Sequence, residues 1–326
     1  MVAGECPIPC NLCGSTDIEE ISARDRHGKY LRTTICRSCG LVWSNPRPTE
    51  EEIRRYYSRQ YRLEYKGRLT PSPRHVARSG RGALSRYRDL KPFLRPDDAI
   101  LDVGAGGGEL VYVLRQLGHE ARGIEPDEQY ARHARENLHV PVETGFVQDV
   151  SLPSGSVSVV TMYHSLEHVE DPSGILSKLR PWLRPGGLLI VEVPNVEAAC
   201  QAPHHRFHFA HFFSFNRVTL EALGRKAGFE PVRTLTSDDG GNLTCMFRSI
   251  ARGQDIVALP GNCARIVGVI REQRMLSHLL SAAPYAGAFG RLRAYLADSA
   301  AARGCSDASH VLDTLLTRHR TRETHE

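Results

Sequence analysis

The stretch Ile100-Leu-Asp-Val-Gly-Ala-Gly-Gly-Gly-Glu109 constrains this chain more than any other. It reads as a buried strand running into a glycine turn and then a helix that begins near Gly107. Gly104, Gly106 and Gly108 let backbone approach a ligand where a Cβ would intrude. The helix start behind them offers N–H groups to a polar or anionic group. A dinucleotide fingerprint wants Gly or Ala at the third position of G-x-G-x-x-G, and here Glu109 holds that slot. The pattern present is Asp102-x-Gly104-x-Gly106-x-Gly108, with Ala105 inside it. Glu125 then stands where a second strand ends, placed to accept hydrogen bonds from ribose hydroxyls.

From 99 to about 250 strand and helix patterns alternate, the signature of a doubly wound parallel α/β sheet. Strands are expected near 99–103, 120–124, 142–146, 157–162, 187–193, 230–236 and 243–249. Helices are expected near 107–117, 127–138, 172–183 and 217–227. Seven strands ending in a hairpin of the last two differ from the six-stranded dinucleotide sheet. Ligands of such sheets bind outside the carboxyl ends of the strands, at the switch point of strand order. The residues there are the glycine loop, Glu125-Pro126-Asp127, Gly145-Phe146-Val147, and Tyr163-His164-Ser-Leu-Glu167-His168.

A chain of 326 residues can hold one large α/β domain with appendages, or two modest domains. No apolar run approaches the ~20 residues of a membrane span, and Met1-Val-Ala-Gly-Glu-Cys-Pro lacks the features of a signal peptide. The cytoplasm is therefore the expected location, with no membrane as partner. Of nine cysteines, five fall in the first 39 residues. An odd count clustered in this way points to metal in a reducing compartment rather than a disulfide framework. Cys10-x-x-Cys13 and Cys36-x-x-Cys39 match a closed, four-thiolate structural zinc site, which would supply much of the folding energy of so short a segment. A redox dithiol is the alternative.

The resulting division is 1–48 zinc ribbon, 49–98 basic and tyrosine-rich helical linker, 99–250 α/β domain, and 251–326 helical C-terminal extension. The last is read as a lid or a homodimer surface with a frayed polar tail from Arg318. Net charge is only +5, yet between Arg54 and Arg95 thirteen Lys and Arg face two acids, Glu64 and Asp89. Such a stretch is either a solvated linker or a seat for an acidic ligand. Tyr56, Tyr57, Tyr61 and Tyr65 belong to it, Pro71-Ser-Pro73 breaks it, and a second helix is expected from about Gly80 to Phe93.

Taken in order, these pieces resemble class I S-adenosylmethionine (SAM)-dependent methyltransferases with an N-terminal zinc ribbon. The resemblance rests on Cys10/Cys13/Cys36/Cys39 followed by Gly40-Leu-Val, then Asn45-Pro-Arg-Pro48 and Tyr56-Tyr57…Tyr61. It continues through Asp102–Gly108, Leu166-Glu-His168, Asp171-Pro172, Pro185-Gly-Gly187, His211-Phe-Phe-Ser214 and Ala227-Gly-Phe229. It covers roughly residues 10 to 250 and implies a Rossmann-like seven-stranded sheet. By that likeness the glycine loop holds the methionine part of SAM and Glu125 clamps the ribose. Phe146 or Val147 flanks adenine, Gln148 or Asp149 meets its amino group, and Pro126, Tyr163 and His164 complete the cofactor set. Sugar C-methyltransferases of antibiotic biosynthesis are similar in their cysteine-rich N-terminal domain, and there the pair matched by Glu167-His168 lies at the acceptor.

Methyl transfer from a sulfonium is an in-line displacement, so alignment does most of the work. A hydroxyl or enolisable carbon also needs its proton removed, a task that suits a histidine with pKa ~6.5. His168 is the candidate base and Glu167 its orienting partner; a histidine that merely walls off the cofactor is the alternative. The run His204-His205-Arg206-Phe-His208-Phe-Ala-His211 reads as a loop over the acceptor, with His208 or His211 as a second candidate base.

Two departures stand out: the usual Phe-Asp of the fourth strand is Val157-Ser158, and only ~75 residues follow the sheet. The expected reaction is methylation of a sugar or related small natural-product intermediate, O- ahead of C-methylation, on an acceptor that could carry phosphate. RNA methylation through ribbon and linker is the first rival, a catalytically silent SAM-binding scaffold the second, and an NAD oxidoreductase a distant third.

Overall fold

The computed structural model describes residues 8–46, 70–281 and 283–323. The tyrosines 56, 57, 61 and 65, with Arg47 and Pro48, lie outside the described residues. In chain order the ribbon strands are β1 (Ile18–Arg24), β2 (Tyr30–Cys36) and β3 (Val42–Ser44). Then come α1 (Pro73–Leu90), β4 (Ala99–Val103), α2 (Glu109–Gln116), β5 (Glu120–Glu125), α3 (Glu128–Asn137), β6 (Val142–Thr144) and β7 (Val157–Tyr163). They are followed by α4 (Pro172–Leu179), β8 (Leu183–Pro194), β9 (Phe213–Ser214), α5 (Arg217–Lys226), β10 (Phe229–Thr236) and β11 (Asn242–Ser249). The C-terminal helices are α6 (Asn262–Glu272), α7 (Met275–Leu280), α8 (Ala283–Ala302) and α9 (Ala308–Glu323).

Seven strands form one sheet in the order β10-β11-β8-β7-β4-β5-β6. β4 pairs in parallel with β5 and β7, and β5 with β6, while β11 runs antiparallel to both β8 and β10. An antiparallel last strand inserted beside β8 separates this order from the six-stranded dinucleotide sheet. It bears out the expected seven-stranded, Rossmann-like architecture.

Two compact units divide the chain. One comprises Met1–Thr49, Pro153–Gly155 and Met162–Gly287; the other comprises Glu50–Leu152, Ser156–Thr161 and Ala288–Glu326. In the first, the ribbon sheet β1-β2-β3 gains its fourth strand from β9, with Val42 opposite Ser214 and Trp43 opposite Phe213. Leu31, Ile35 and Val42 of the ribbon share a core with Val196, Phe207 and Ile266. Asn262, at the start of α6, donates to the Cys39 carbonyl at 2.9 Å and accepts from the Asn216 amide at 2.7 Å. Asn216 in turn caps α5, so one buried amide pair fixes ribbon, helix start and C-terminal segment together.

In the second unit, α9 lies on α1. A Cβ at Gly80 would sit 2.4 Å from Leu312 Cδ2, so only glycine admits the helix this closely. Val311, Leu312, Leu315 and Leu316 are buried, Arg81 pairs with Asp298 at 2.6 Å, and the Tyr112 hydroxyl donates to Asp313 at 2.7 Å.

Several expected boundaries move, each for a local reason. α1 begins at Pro73 rather than near Gly80, because Ser72 caps it and Pro73 takes the first helical position, where proline lacks only an N–H that had no partner. α2 starts at Glu109 rather than Gly107, because Gly108 is left-handed at φ 84°. The helix expected to reach 183 stops at Leu179, and Pro181 sits in a short 3-10 turn. The tail expected to fray from Arg318 is helical to Glu323, with Arg320 donating to the Gln116 carbonyl at 2.7 Å. Among the described residues no helix is long and apolar enough to cross a membrane.

Candidate active site

The glycine loop leaves the carboxyl end of β4, whose apolar residues are buried. Gly104, Gly106 and Gly108 take φ of 81°, 56° and 84°, a region where any Cβ is strained. The amides of Gly104 and Ala105 both donate to the Ile124 carbonyl, at 2.8 and 3.0 Å, and Gly108 donates to Ala105 at 3.0 Å. Gly106 donates to Glu125 Oε2 at 2.7 Å. The loop is thus pinned on β5 through its own amides and presents bare backbone, a cradle suited to close approach of a ligand.

Glu125, 3% exposed, ends β5 and also accepts from the Asp127 amide through Oε1 at 3.0 Å. Asp127 caps α3 by accepting from Gln129 and Tyr130, which follows Pro126. Asp102 accepts from Thr161 Oγ1 at 2.7 Å; burial lifts its carboxyl to about 6 against the pull of Thr161 and Arg86. After β6, Val147 is buried, Phe146 half-buried and Gln148 exposed. These residues belong to one unit, with Glu125 as its buried carboxylate acceptor.

In the other unit the segment after β7 gathers a second group. His164 holds φ 52°, rare for a residue with a Cβ, and its amide donates to the Glu192 carbonyl at 2.8 Å. Its Nε2 lies 3.1 Å from Glu192 Oε1 and its Nδ1 3.5 Å from Glu167 Oε1. Burial opposes charge on His164, but the two carboxylates outweigh it and raise the imidazole to about 9. Tyr163, just before it, is buried.

Glu167 is 1% exposed and neither of its oxygens accepts a hydrogen bond. Burial would raise its carboxyl, yet the His164 imidazole beside it outweighs that and holds it at about 2. His168 Nδ1 lies 2.6 Å from the Ala210 carbonyl. A carbonyl only accepts, so Nδ1 carries the proton and Nε2 presents its lone pair in the neutral ring, 3.8 Å from Glu167 Oε1. The His211 ring stands edge-on 4.8 Å from that of His168, and the His208 ring 5.3 Å from His211. Burial above all keeps His211 at about 3 and His208 at about 4, so both are neutral at physiological pH.

The loop carrying His208 and His211 is held from two sides. The Phe212 amide donates to the Glu167 carbonyl at 2.8 Å, while the ribbon takes Ser44 N–H to Phe212 O at 2.9 Å and Arg26 N–H to Phe207 O at 2.9 Å. Glu167, His168, His208 and His211 therefore come together, with His164 beside them. Sequence reading missed Glu192 and the Ala210 carbonyl. An acid inside the buried run Leu188-Leu-Ile-Val-Glu192-Val was a usable signal for the first; a backbone carbonyl leaves none.

The sulfurs of Cys10, Cys13, Cys36 and Cys39 lie within 4.8 Å of one another, the closest pairs at 3.4 and 3.5 Å. Tetrahedral zinc with bonds of about 2.3 Å needs sulfurs about 3.8 Å apart, so the donor set fits such an ion. Hydrogen bonds from Cys10 and Cys39 hold the Cys36 sulfur well below the ordinary thiol range.

The family described as "Methyltransferase domain" matches residues 75–234. Over that span the chain carries a methyltransferase domain. A protein of Mycolicibacterium smegmatis described as a probable S-adenosylmethionine-dependent methyltransferase is 29% identical over 148 residues, 44% of this chain and 56% of that one. A ubiquinone biosynthesis O-methyltransferase of Xanthomonas campestris is 32% identical over 106 residues, 31% of this chain and 44% of that one. The chain thus spans about half the length of these relatives. Among solved structures, a 1,6-didemethyltoxoflavin-N1-methyltransferase of Burkholderia thailandensis is 18% identical with a TM-score of 0.47, covering 65% of this chain and 96% of that one. The methyltransferase domain holds the glycine loop, Glu125 and the Glu167–His168 pair within the matched span.

Proposed function

We propose that this chain transfers a methyl group from SAM to a hydroxyl of a small acceptor, a sugar or a related natural-product intermediate, with His168 as general base. The observation that carries the reading is the His168 tautomer: Nδ1–H is tied to the Ala210 carbonyl and Nε2 faces the ionised Glu167. A base needs an available lone pair and a nearby anion to stabilise its charged form. When bound, SAM supplies the methyl as a sulfonium electrophile.

Gly104 to Gly108 would receive its methionine part, Glu125 its ribose hydroxyls, and Phe146, Val147 and Gln148 its adenine. Glu125 is the anchor of that set, since it already organises both the loop and the start of α3. His168 would take the acceptor's proton as its oxygen bonds to the methyl carbon and the carbon–sulfur bond breaks, releasing S-adenosylhomocysteine, and Glu167 would stabilise the imidazolium. The four cysteines would hold a structural zinc, which fixes the ribbon and, through β3 and β9, the histidine loop. Oxygen is favoured over carbon because a hydroxyl needs only one weak base.

Labelled methyl from SAM, incubated with a fractionated cell extract and with wild-type or H168A protein, tests the reading. Label in small, phosphatase-sensitive molecules that disappears in the variant supports it. Label in RNA would move the substrate to nucleic acid, and no label despite SAM binding would leave a scaffold role.

A further inference from the structure

We propose that Glu167, His168 and His211 form a binding site for one divalent first-row transition-metal ion. Their donor atoms lie within 4.8 Å of one another. A four-coordinate ion bound at about 2.1 Å needs its donors about 3.4 Å apart, and His168 Nε2 already lies 3.8 Å from Glu167 Oε1. Two imidazoles and one carboxylate with further positions open are a donor set for borderline transition ions rather than for magnesium or calcium, which prefer oxygen.

Two features beyond proximity mark the cluster as built for a cation. Glu167 is 1% exposed, neither oxygen accepts a hydrogen bond of normal length, and the nearest partner, His164 Nδ1, stands off at 3.5 Å, so the buried carboxylate keeps coordinating capacity. His168 donates Nδ1–H to the Ala210 carbonyl at 2.6 Å, the outer contact that fixes ring orientation and tautomer in most metal-binding histidines. Behind Glu167 stands His164 at 3.5 Å, itself seated on Glu192 at 3.1 Å. The cysteine cluster has no thiol in this group, so the two sites differ in ligand chemistry.

The role of the ion, though not its binding, rests on the proposed methyl transfer. Metal and proton compete for the same His168 Nε2 lone pair, so His168 is a base in the empty site and a ligand in the loaded one. An ion held by Glu167, His168 and His211 would act as a Lewis acid that favours loss of an acceptor's hydroxyl proton to water. The site then selects acceptors that present oxygen donors.

Titration of the full chain with Co2+ alone reads both metal sites separately. Thiolate-bound cobalt shows an intense sulfur-to-metal charge-transfer band, whereas cobalt on nitrogen and oxygen shows only weak visible bands. We expect wild-type protein to bind one Co2+ without the thiolate band, beyond any held by cysteines. E167Q and H211Q should each weaken that binding at least tenfold while leaving the thiolate band intact. Loss of even an outer contact typically costs 10- to 100-fold, so tenfold is the least that loss of a direct ligand should cost. A wild-type titration that fills only the thiolate site, or weak bands that persist in both variants, overturns the proposal. SAM binding measured on the same samples shows that the variants are folded; its absence from wild type would sink the methyltransferase reading and not the metal site.

Discussion

Replacing Glu125 by glutamine should cripple the cofactor loop while changing almost no volume. In the native site both carboxylate oxygens accept from backbone amides, Gly106 at 2.7 Å and Asp127 at 3.0 Å, and the side chain is 3% exposed. Glutamine offers one oxygen and one NH2. Whichever way it turns, one backbone N–H faces another donor and loses its acceptor. Hydrogen bonds to a charged group contribute about 1.5–3 kcal/mol, and a stranded buried N–H costs about 1–3 kcal/mol. A combined loss of about 2–4 kcal/mol corresponds to roughly 30- to 1,000-fold in an equilibrium constant. If the loop relieves the clash by leaving β5, that penalty falls on ligand binding, because the loop must be rebuilt to receive SAM. Calorimetric titration with SAM should show a Kd at least ~30-fold weaker in E125Q, and urea unfolding should show a lower midpoint at unchanged slope. SAM binding within twofold of wild type would refute the argument that Glu125 organises this loop.

Three further outcomes follow from the geometry. His164, raised to about 9 by Glu167 and Glu192, contributes stability that is complete below its unfolded value of about 6.5 and is lost as pH rises through 9. Stability measured from pH 6 to 10 should fall across that window in wild type, and H164Q should flatten the fall. Chelating the ion proposed for the four cysteines should speed amide exchange at Phe212 and Phe213, which pair with the ribbon, while β4 and β5 stay protected; equal protection before and after would break the link from ribbon to histidine loop. G108A combines a left-handed φ of 84° with a Cβ only 2.7 Å from Ala134 Cβ. It should lower urea stability by about 2–4 kcal/mol, and a loss below about 1 kcal/mol would show that α3 yields easily.

The sheet was legible because its signals are local and periodic. Apolar runs such as Ala99–Val103 and Leu188–Val193, punctuated by glycine and proline, fix strand order to within a few residues. The ends were less so: Pro71-Ser-Pro73 looks like a break until Ser72 is seen to cap α1, and the polar-looking tail is helical because Leu312 and Leu315 reach Gly80 on a distant helix. Tertiary contacts of that kind leave no mark in a local window. Within the candidate site, Glu167 and His168 were readable as neighbours on the chain, and His208 and His211 as part of an unusual histidine run. What brings them together is a short strand, β9, paired with a ribbon about 170 residues earlier in sequence, where Trp43 meets Phe213. Two residues of strand carry too little pattern to be found beforehand. His164 could be placed after a strand end, but neither its Glu192 partner nor its backbone φ of 52° leaves a signal in a local window.

The central claim is tested most directly by titrating the purified chain with SAM in a calorimeter, with NADH run in parallel. The account predicts one SAM per chain with a Kd on the order of micromolar and no heat from NADH. Binding of NADH without binding of SAM would contradict it, and would mean that Glu109 in the third-glycine slot does not exclude a dinucleotide after all.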